Sequence, residues 1–225
     1  MTAAILSYIL AALLALLPIT NPLSAAPLVL SITADLSDEE RQRQLKRACI
    51  YMAEILIVFL LVGALIMDFF SISIPGLRIA GGLIISYLGF RMLFPPENGP
   101  LPNAAKQEAK RKQDVSFTPL AMPSLAGPGS IAAVISLSST IHNSTVLPLW
   151  LGYASVCIGI MLTALINWLL LRVAFKLYWK LGETGLNAIA RLMGFFLICI
   201  GIQFFIDGIA GLLRDPSFWP GAAAG

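Results

Sequence analysis

The sequence predicts an all-α membrane protein: six transmembrane helices arranged as two inverted three-helix repeats, with the first and fourth helices broken near the midplane. Three observations lead there. The 225 residues are 58% hydrophobic and only 12% charged, about half the charge of a soluble domain, which excludes a water-soluble globule and a disordered chain alike. Six apolar runs, near 3–34, 48–69, 74–94, 116–140, 147–171 and 188–213, are separated by polar stretches, and one membrane span needs ~20 apolar residues. The first and fourth of these runs are interrupted by prolines at corresponding places.

Taken in order, the opening run from Ala3 to Leu17 covers only about 22 Å as a helix, short of the ~30 Å hydrocarbon core. It leads into Pro18-Ile19-Thr20-Asn21-Pro22-Leu23-Ser24-Ala25-Ala26-Pro27, where each interior proline removes a helix hydrogen bond. No cationic stretch precedes the run, so it is expected to stay in the mature fold rather than leave as a signal peptide. Ser37 followed by Glu40 reads as a capping box that opens a charged helical turn running into the second span. The third run starts at Ile74-Pro75-Gly76. A proline- and lysine-rich loop then divides the chain into a first repeat (1–95), a cytoplasmic linker (96–115), a second repeat (116–214) and a tail (215–225). The fourth run is broken across Pro119-Leu120-Ala121-Met122-Pro123-Ser124-Leu125-Ala126-Gly127-Pro128-Gly129-Ser130. The fifth and sixth read as separate spans joined by a basic loop.

Basic residues orient the spans. Arg41, Arg43, Lys46 and Arg47 lie between spans one and two; Lys106, Lys110, Arg111 and Lys112 lie between three and four. Arg172, Lys176 and Lys180 lie between five and six. With Arg91 and Arg191 at adjoining span ends, thirteen of the fifteen basic residues fall on one side, leaving Arg78 and Arg214 on the other. Both termini are therefore expected on the periplasmic side. The net charge of +3 is a matter of orientation, with nothing to suggest nucleic acid as a partner; the expected partners are the lipid bilayer and a small solute, with a homo-oligomer left open.

The two breaks match. Asn21-Pro22-Leu23-Ser24 and Gly127-Pro128-Gly129-Ser130 lie 106 residues apart, and Arg78-Ile79-Ala80-Gly81 and Arg191-Leu192-Met193-Gly194 lie 113 apart. One duplicated three-span unit explains both offsets, and an odd number of spans turns the second copy upside down. Interrupted helices at equivalent places in inverted halves point to a transport site. Asn21 suits a helix N-cap and Pro22 the first helical position, and Gly127-Pro128 fits the same roles. Each break would open a half-helix whose free N–H groups and positive dipole end can hold a carboxylate. Carbonyls of the broken ends, with Thr20, Ser24, Ser124 and Ser130, would receive an ammonium or hydroxyl. Prolines and glycines that merely kink and pack membrane helices are the plain alternative. A pair of re-entrant hairpins, the architecture of a narrow channel, is disfavoured because it would move Arg172, Lys176 and Lys180 outward.

Other polar residues carry weaker signals. Glu54 lies one to two turns inside the second span, as a coupling group or as a carboxylate that snorkels or pairs with Arg47 or Arg91. Arg78 and Arg191 begin equivalent helices, as gates or interface anchors. Asn167 and Gln203 are expected to hydrogen-bond between helices. Cys49, Cys157 and Cys199 sit in apolar runs with no disulfide or metal spacing, and no metal or cofactor is implied. No hydrolase, zinc-protease or phosphate-loop motif occurs, so neither an enzyme nor an ATP-driven pump is expected.

Asn21-Pro22, Ile74-Pro75-Gly76-Leu77-Arg78-Ile79-Ala80-Gly81-Gly82, Gly89-Phe90-Arg91-Met92-Leu93-Phe94-Pro95, Pro119-Leu120-Ala121-Met122-Pro123, Ala126-Gly127-Pro128-Gly129 and Arg191-Leu192-Met193-Gly194-Phe195 together resemble the MarC family of bacterial inner-membrane proteins over nearly the whole chain. The resemblance implies a six-span protein of the cytoplasmic membrane, related to the lysine-exporter superfamily, with relatives that carry small neutral amino acids such as glycine and alanine. The family name comes from a multiple-antibiotic-resistance locus and does not establish drug efflux. Carried over, the transport site falls on Thr20, Asn21, Ser24 and Gly127 to Ser130. The reading is a secondary transporter or exporter working by alternating access; a narrow solute channel and a non-transporting scaffold are the alternatives.

Overall fold

The computed structural model describes residues 1–22, 29, 33, 36–95, 116–142, 144 and 146–214; the side chains of 119, 123, 124, 174–184 and 186 are excepted. Ser24, Leu23, the linker 96–115 and the tail 215–225 lie outside the described residues, as do the side chains of Ser124, Lys176 and Lys180. Among the described residues the fold is entirely helical. Its helices are α1 (Thr2–Thr20), α2 (Asp38–Phe69), α3 (Ile74–Leu93), α4 (Pro128–His142) and α5 (Leu149–Arg214), and a distorted segment, Ser116–Leu125, precedes α4.

Helix α1 absorbs Pro18 and extends to Thr20, three residues beyond the apolar run that suggested its length. It stops at Asn21, whose backbone turns to φ 29°, a left-handed value that few residues other than glycine and asparagine tolerate. Helix α2 starts where the capping box places it: the Ser37 hydroxyl accepts from the Glu40 N–H at 3.3 Å, and the Glu40 carboxylate accepts from the Ser37 N–H at 3.2 Å. Arg41 adds an ion pair to Asp38 at 2.7 Å. The 32 residues of α2 make about 48 Å of helix, so its charged first turns extend the span beyond the membrane core. In α3 the Ser73 hydroxyl caps Gly76 N–H at 3.2 Å and Pro75 occupies the first turn, where its missing donor is harmless.

The fourth run does not form one helix. Thr118 and Met122 have extended backbones (φ −127°, ψ 122° and φ −124°, ψ 125°) inside Ser116–Leu125, and the Ala126 N–H reaches back five residues to the Ala121 carbonyl at 2.8 Å. A regular helix resumes only at Pro128. Among the described residues, five stretches are long and apolar enough to cross a membrane: Thr2–Thr20, Asp38–Phe69, Ile74–Leu93, Leu149–Val173 and Asn187–Arg214. The fourth run, divided in two, is the one that is not.

The last two spans depart from expectation in another way. Helical backbone continues from Leu149 to Arg214 without the anticipated loop, in keeping with the lack of proline between them. A straight rod of 66 residues would be about 99 Å long. The contacts rule this out. Gly159 packs on Ala12 and Asn167 on Thr20, so the Leu149–Val173 span runs parallel to α1. Asn21 reaches Met92 at the far end of α3, and Gly194 and Gly201 meet Gly89 and Gly82, so the Asn187–Arg214 span runs antiparallel to α3. The two ends of α5 are thus separate, oppositely directed spans of one bundle.

The seam between α3 and Asn187–Arg214 is a close backbone-to-backbone contact. A Cβ on Gly82 would come within 2.5 Å of the Gly201 carbonyl oxygen, and one on Gly89 within 2.6 Å of that of Gly194. Backbones approach this closely only where both helices present glycine. The seven-residue spacing of 82 and 89, and of 194 and 201, puts each pair on one stripe.

Candidate functional site

The two breaks lie side by side. Ile19, two residues short of the first break, packs on Gly129 at the start of α4; a Cβ on Gly129 would meet the Ile85 Cγ1 at 2.7 Å and the Ile19 Cγ2 at 3.3 Å. Two interrupted helices that are distant in sequence therefore cross against α3.

At the first break the polar groups are buried and connected. Thr20 is 1% exposed and Asn21 5%. The Asn167 Nδ2, from the fifth span, donates to the Thr20 Oγ1 at 2.8 Å and approaches the Met52 Sδ at 3.4 Å. The Thr20 hydroxyl itself donates to the Leu17 carbonyl at 3.3 Å, so it accepts from one side and gives to the other. The Asn21 Nδ2 points to the Met92 Sδ at 3.5 Å. Pro22 is helical and buried. The oxygen of Asn167 is different: the side chain is fully buried, and its Oδ1 has no hydrogen-bond partner among the described residues. A carboxamide oxygen kept from water and from protein donors costs on the order of 1–3 kcal/mol, so it asks for a donor that the described residues do not supply.

At the second break the backbone dominates. Gly127 is half-buried, Pro128 is exposed, and Gly129 and Ser130 are buried. The Ser130 hydroxyl donates back to the Gly127 carbonyl at 2.8 Å, so it is used within its own turn. Pro128 heads α4 as the first-position rule expects, and the Ile131 N–H closes the first turn on the Gly127 carbonyl at 3.1 Å.

Arg78, Arg191, Glu54 and Gln203 form no hydrogen bond to the break residues among the described residues. Arg78 is half-buried and ties α3 to α4: its Nε donates to the Ser136 Oγ at 2.7 Å and an Nη to the Thr140 Oγ1 at 3.4 Å. That is the geometry of a brace. Arg191 is exposed. Glu54 is also exposed and forms no ion pair among the described residues, so neither Arg47 nor Arg91 neutralises it. Gln203 does not bond between helices; it donates to Asp207 on its own helix at 2.9 Å, because residues four apart share a face. Asn167 does bond between helices, and the sequence signal for it was only its depth in an apolar run; its pairing with Thr20 spans 147 positions and has no local signature. No group of three or more metal-ligating side chains occurs among the described residues.

Comparison with known proteins is consistent in direction. The family described as "MarC family integral membrane protein" matches residues 6–213. The protein named "UPF0056 inner membrane protein MarC" from Escherichia coli (strain K12) is 42% identical over 207 residues, which is 90% of this chain and 94% of the relative. The protein of the same name from Escherichia coli (strain UTI89 / UPEC) has the same identity and coverage. No solved structure matches the chain significantly.

Proposed function

The chain belongs to the MarC family of integral membrane proteins, and from that premise we propose that it is a secondary transporter or exporter of small neutral amino acids of the glycine and alanine kind, acting by alternating access in a bacterial inner membrane. The observation that carries this reading is the buried Asn167 Oδ1, without a partner among the described residues, beside the two breaks. An ammonium group donates to such an oxygen. The carboxylate of the same molecule is served by the open N–H groups at the head of α4, where the helix dipole favours negative charge. With no ionised side chain at the crossing among the described residues, a guest of zero net charge is the best match.

An inverted repeat accounts for the pairing of the spans. Span one runs parallel to span five, from Ala12–Gly159 to Thr20–Asn167. Span four runs parallel to span two, from Phe117–Tyr51 to Ile135–Gly63. These two pairs exchange under one two-fold axis in the membrane plane, and the same axis requires spans three and six to pack antiparallel on each other, as their glycine seam does. Rocking of one half against the other about this seam is the movement that alternating access needs. The 19 residues of α1 and 15 of α4 put about 28 Å and 22 Å of helix on one side of the crossing. That shifts it from the midplane toward the end that carries Arg41 to Arg47 and Arg172, read here as cytoplasmic, with both termini periplasmic.

The test is flux of labelled alanine and glycine in proteoliposomes. Saturable counterflow is expected, and Asn21→Gly, which keeps the left-handed backbone and removes the carboxamide, should reduce it at unchanged folding. Absence of uptake, exchange and efflux across a panel of neutral amino acids would sink the proposal. A non-saturating flux indifferent to gradient would instead make the crossing a channel.

A further inference from the structure

A second feature lies outside the crossing, on the outer wall between α2 and the fifth span. Lys46, Glu54, Met161, Leu165 and Trp168 are among the residues that line a groove of about 490 Å³, within the range of small-molecule sites. Its walls are apolar, and Met161 and Leu165 are exposed, so the groove opens sideways to the lipid. Its polar features gather at one end. Lys46 lies there, the Arg172 guanidinium sits over the Trp168 ring at 5.7 Å, and neither cation forms an ion pair among the described residues. The Trp168 Nε1–H is buried with no acceptor among the described residues, an unmet donor in a largely apolar wall.

We propose that this groove holds one anionic phospholipid of the leaflet on the basic side, with its phosphate between Lys46 and Arg172 and an ester carbonyl accepting from the Trp168 indole. Charge complementarity selects this occupant. Two unpaired cations at the membrane boundary fit a phosphate, basic pockets between spans are suited to acidic headgroups, and the groove continues inward as an apolar slot for an acyl chain. The one carboxylate in the wall, Glu54, is eight residues from Lys46 on the same helix face, about 12 Å deeper along the axis, and so does not compete for the phosphate. The site is separate from the transport reading: none of the hydrogen bonds of Thr20, Asn21 and Ser130 described above involves a groove residue.

Native mass spectrometry of the full chain, released from detergent with dioleoyl phosphatidylglycerol, phosphatidylethanolamine or phosphatidylcholine, tests it. A single phosphatidylglycerol should be retained at least about tenfold more strongly than phosphatidylcholine. Lys46→Gln and Arg172→Gln should each weaken it about fivefold. Trp168→Phe, which keeps the ring and loses only the N–H, should weaken it by a similar factor. Arg43→Gln, outside the groove, should stay within about twofold of the parent. Thermal unfolding of each variant in lipid-free detergent separates loss of lipid from loss of fold. Equal retention of the three lipids overturns the proposal, as does parental retention by all groove variants. A dimer whose dissociation follows the groove variants overturns it too, by giving the groove to a second copy of the chain.

Discussion

The two breaks are near-copies in sequence but differ in what they offer. The first presents side chains: Thr20 and Asn21 are buried, Asn167 joins them from another helix, and one amide oxygen is left without a donor among the described residues. The second presents backbone: Gly129 is small enough to admit Ile19 and Ile85, and the Ser130 hydroxyl is consumed by its own turn. A break marked by proline can thus present polar side chains or backbone and small residues. The neighbours decide which. A large polar residue stands opposite the first break, and aliphatic side chains stand opposite the second.

The strongest way to break this comparison is to remove the frame both breaks share. Gly82→Ala forces a methyl group against the Gly201 carbonyl, which is backbone and cannot step aside; we expect a loss of about 3 kcal/mol, seen as a large fall in thermal midpoint in detergent. A parental midpoint would mean the seam is looser than its glycines indicate. Asn167→Leu comes next and sharpens the contrast. It removes an unsatisfied buried oxygen at similar volume, so stability should change by less than about 1 kcal/mol while amino-acid counterflow drops about 10- to 100-fold. Retained counterflow would take Asn167 out of the site. Thr20→Val deletes the acceptor for the Asn167 Nδ2 and leaves that donor buried; a destabilisation of about 1–2 kcal/mol is expected in denaturant or thermal unfolding. An unchanged midpoint would show that the bond to Thr20 contributes nothing. Ser130→Ala should have the smallest effect, within about 0.5 kcal/mol and with flux near the parent level, because its hydroxyl serves its own turn; a strong flux defect there would make the two breaks alike after all.

Much of this was legible in one dimension because the bilayer acts on the chain locally. Apolar length sets the spans, Ser37 and Glu40 cap α2 through neighbours three residues apart, and prolines stop hydrogen bonding where they stand. Those signals were enough to locate five spans and the broken fourth run, and to single out Thr20, Asn21 and Gly127 to Ser130. Pro18 shows the limit even of a local rule. Helix α1 runs through it, since packing against the fifth span outweighs one lost hydrogen bond.

By itself, then, the sequence determined the membrane class, the helix boundaries set by caps and breaks, and the family, all of which depend on residues read in order. Only the tertiary structure decided which polar groups meet. It brought Asn167 to Thr20, set Gly82 against Gly201, turned Gln203 onto its own helix and laid Arg172 over the Trp168 ring in the groove that Lys46 also lines. The physical reason is that burial and hydrogen bonding are properties of pairs. A helix period tells which face a residue lies on, but the partner on the opposing face is fixed by the packing of the whole bundle.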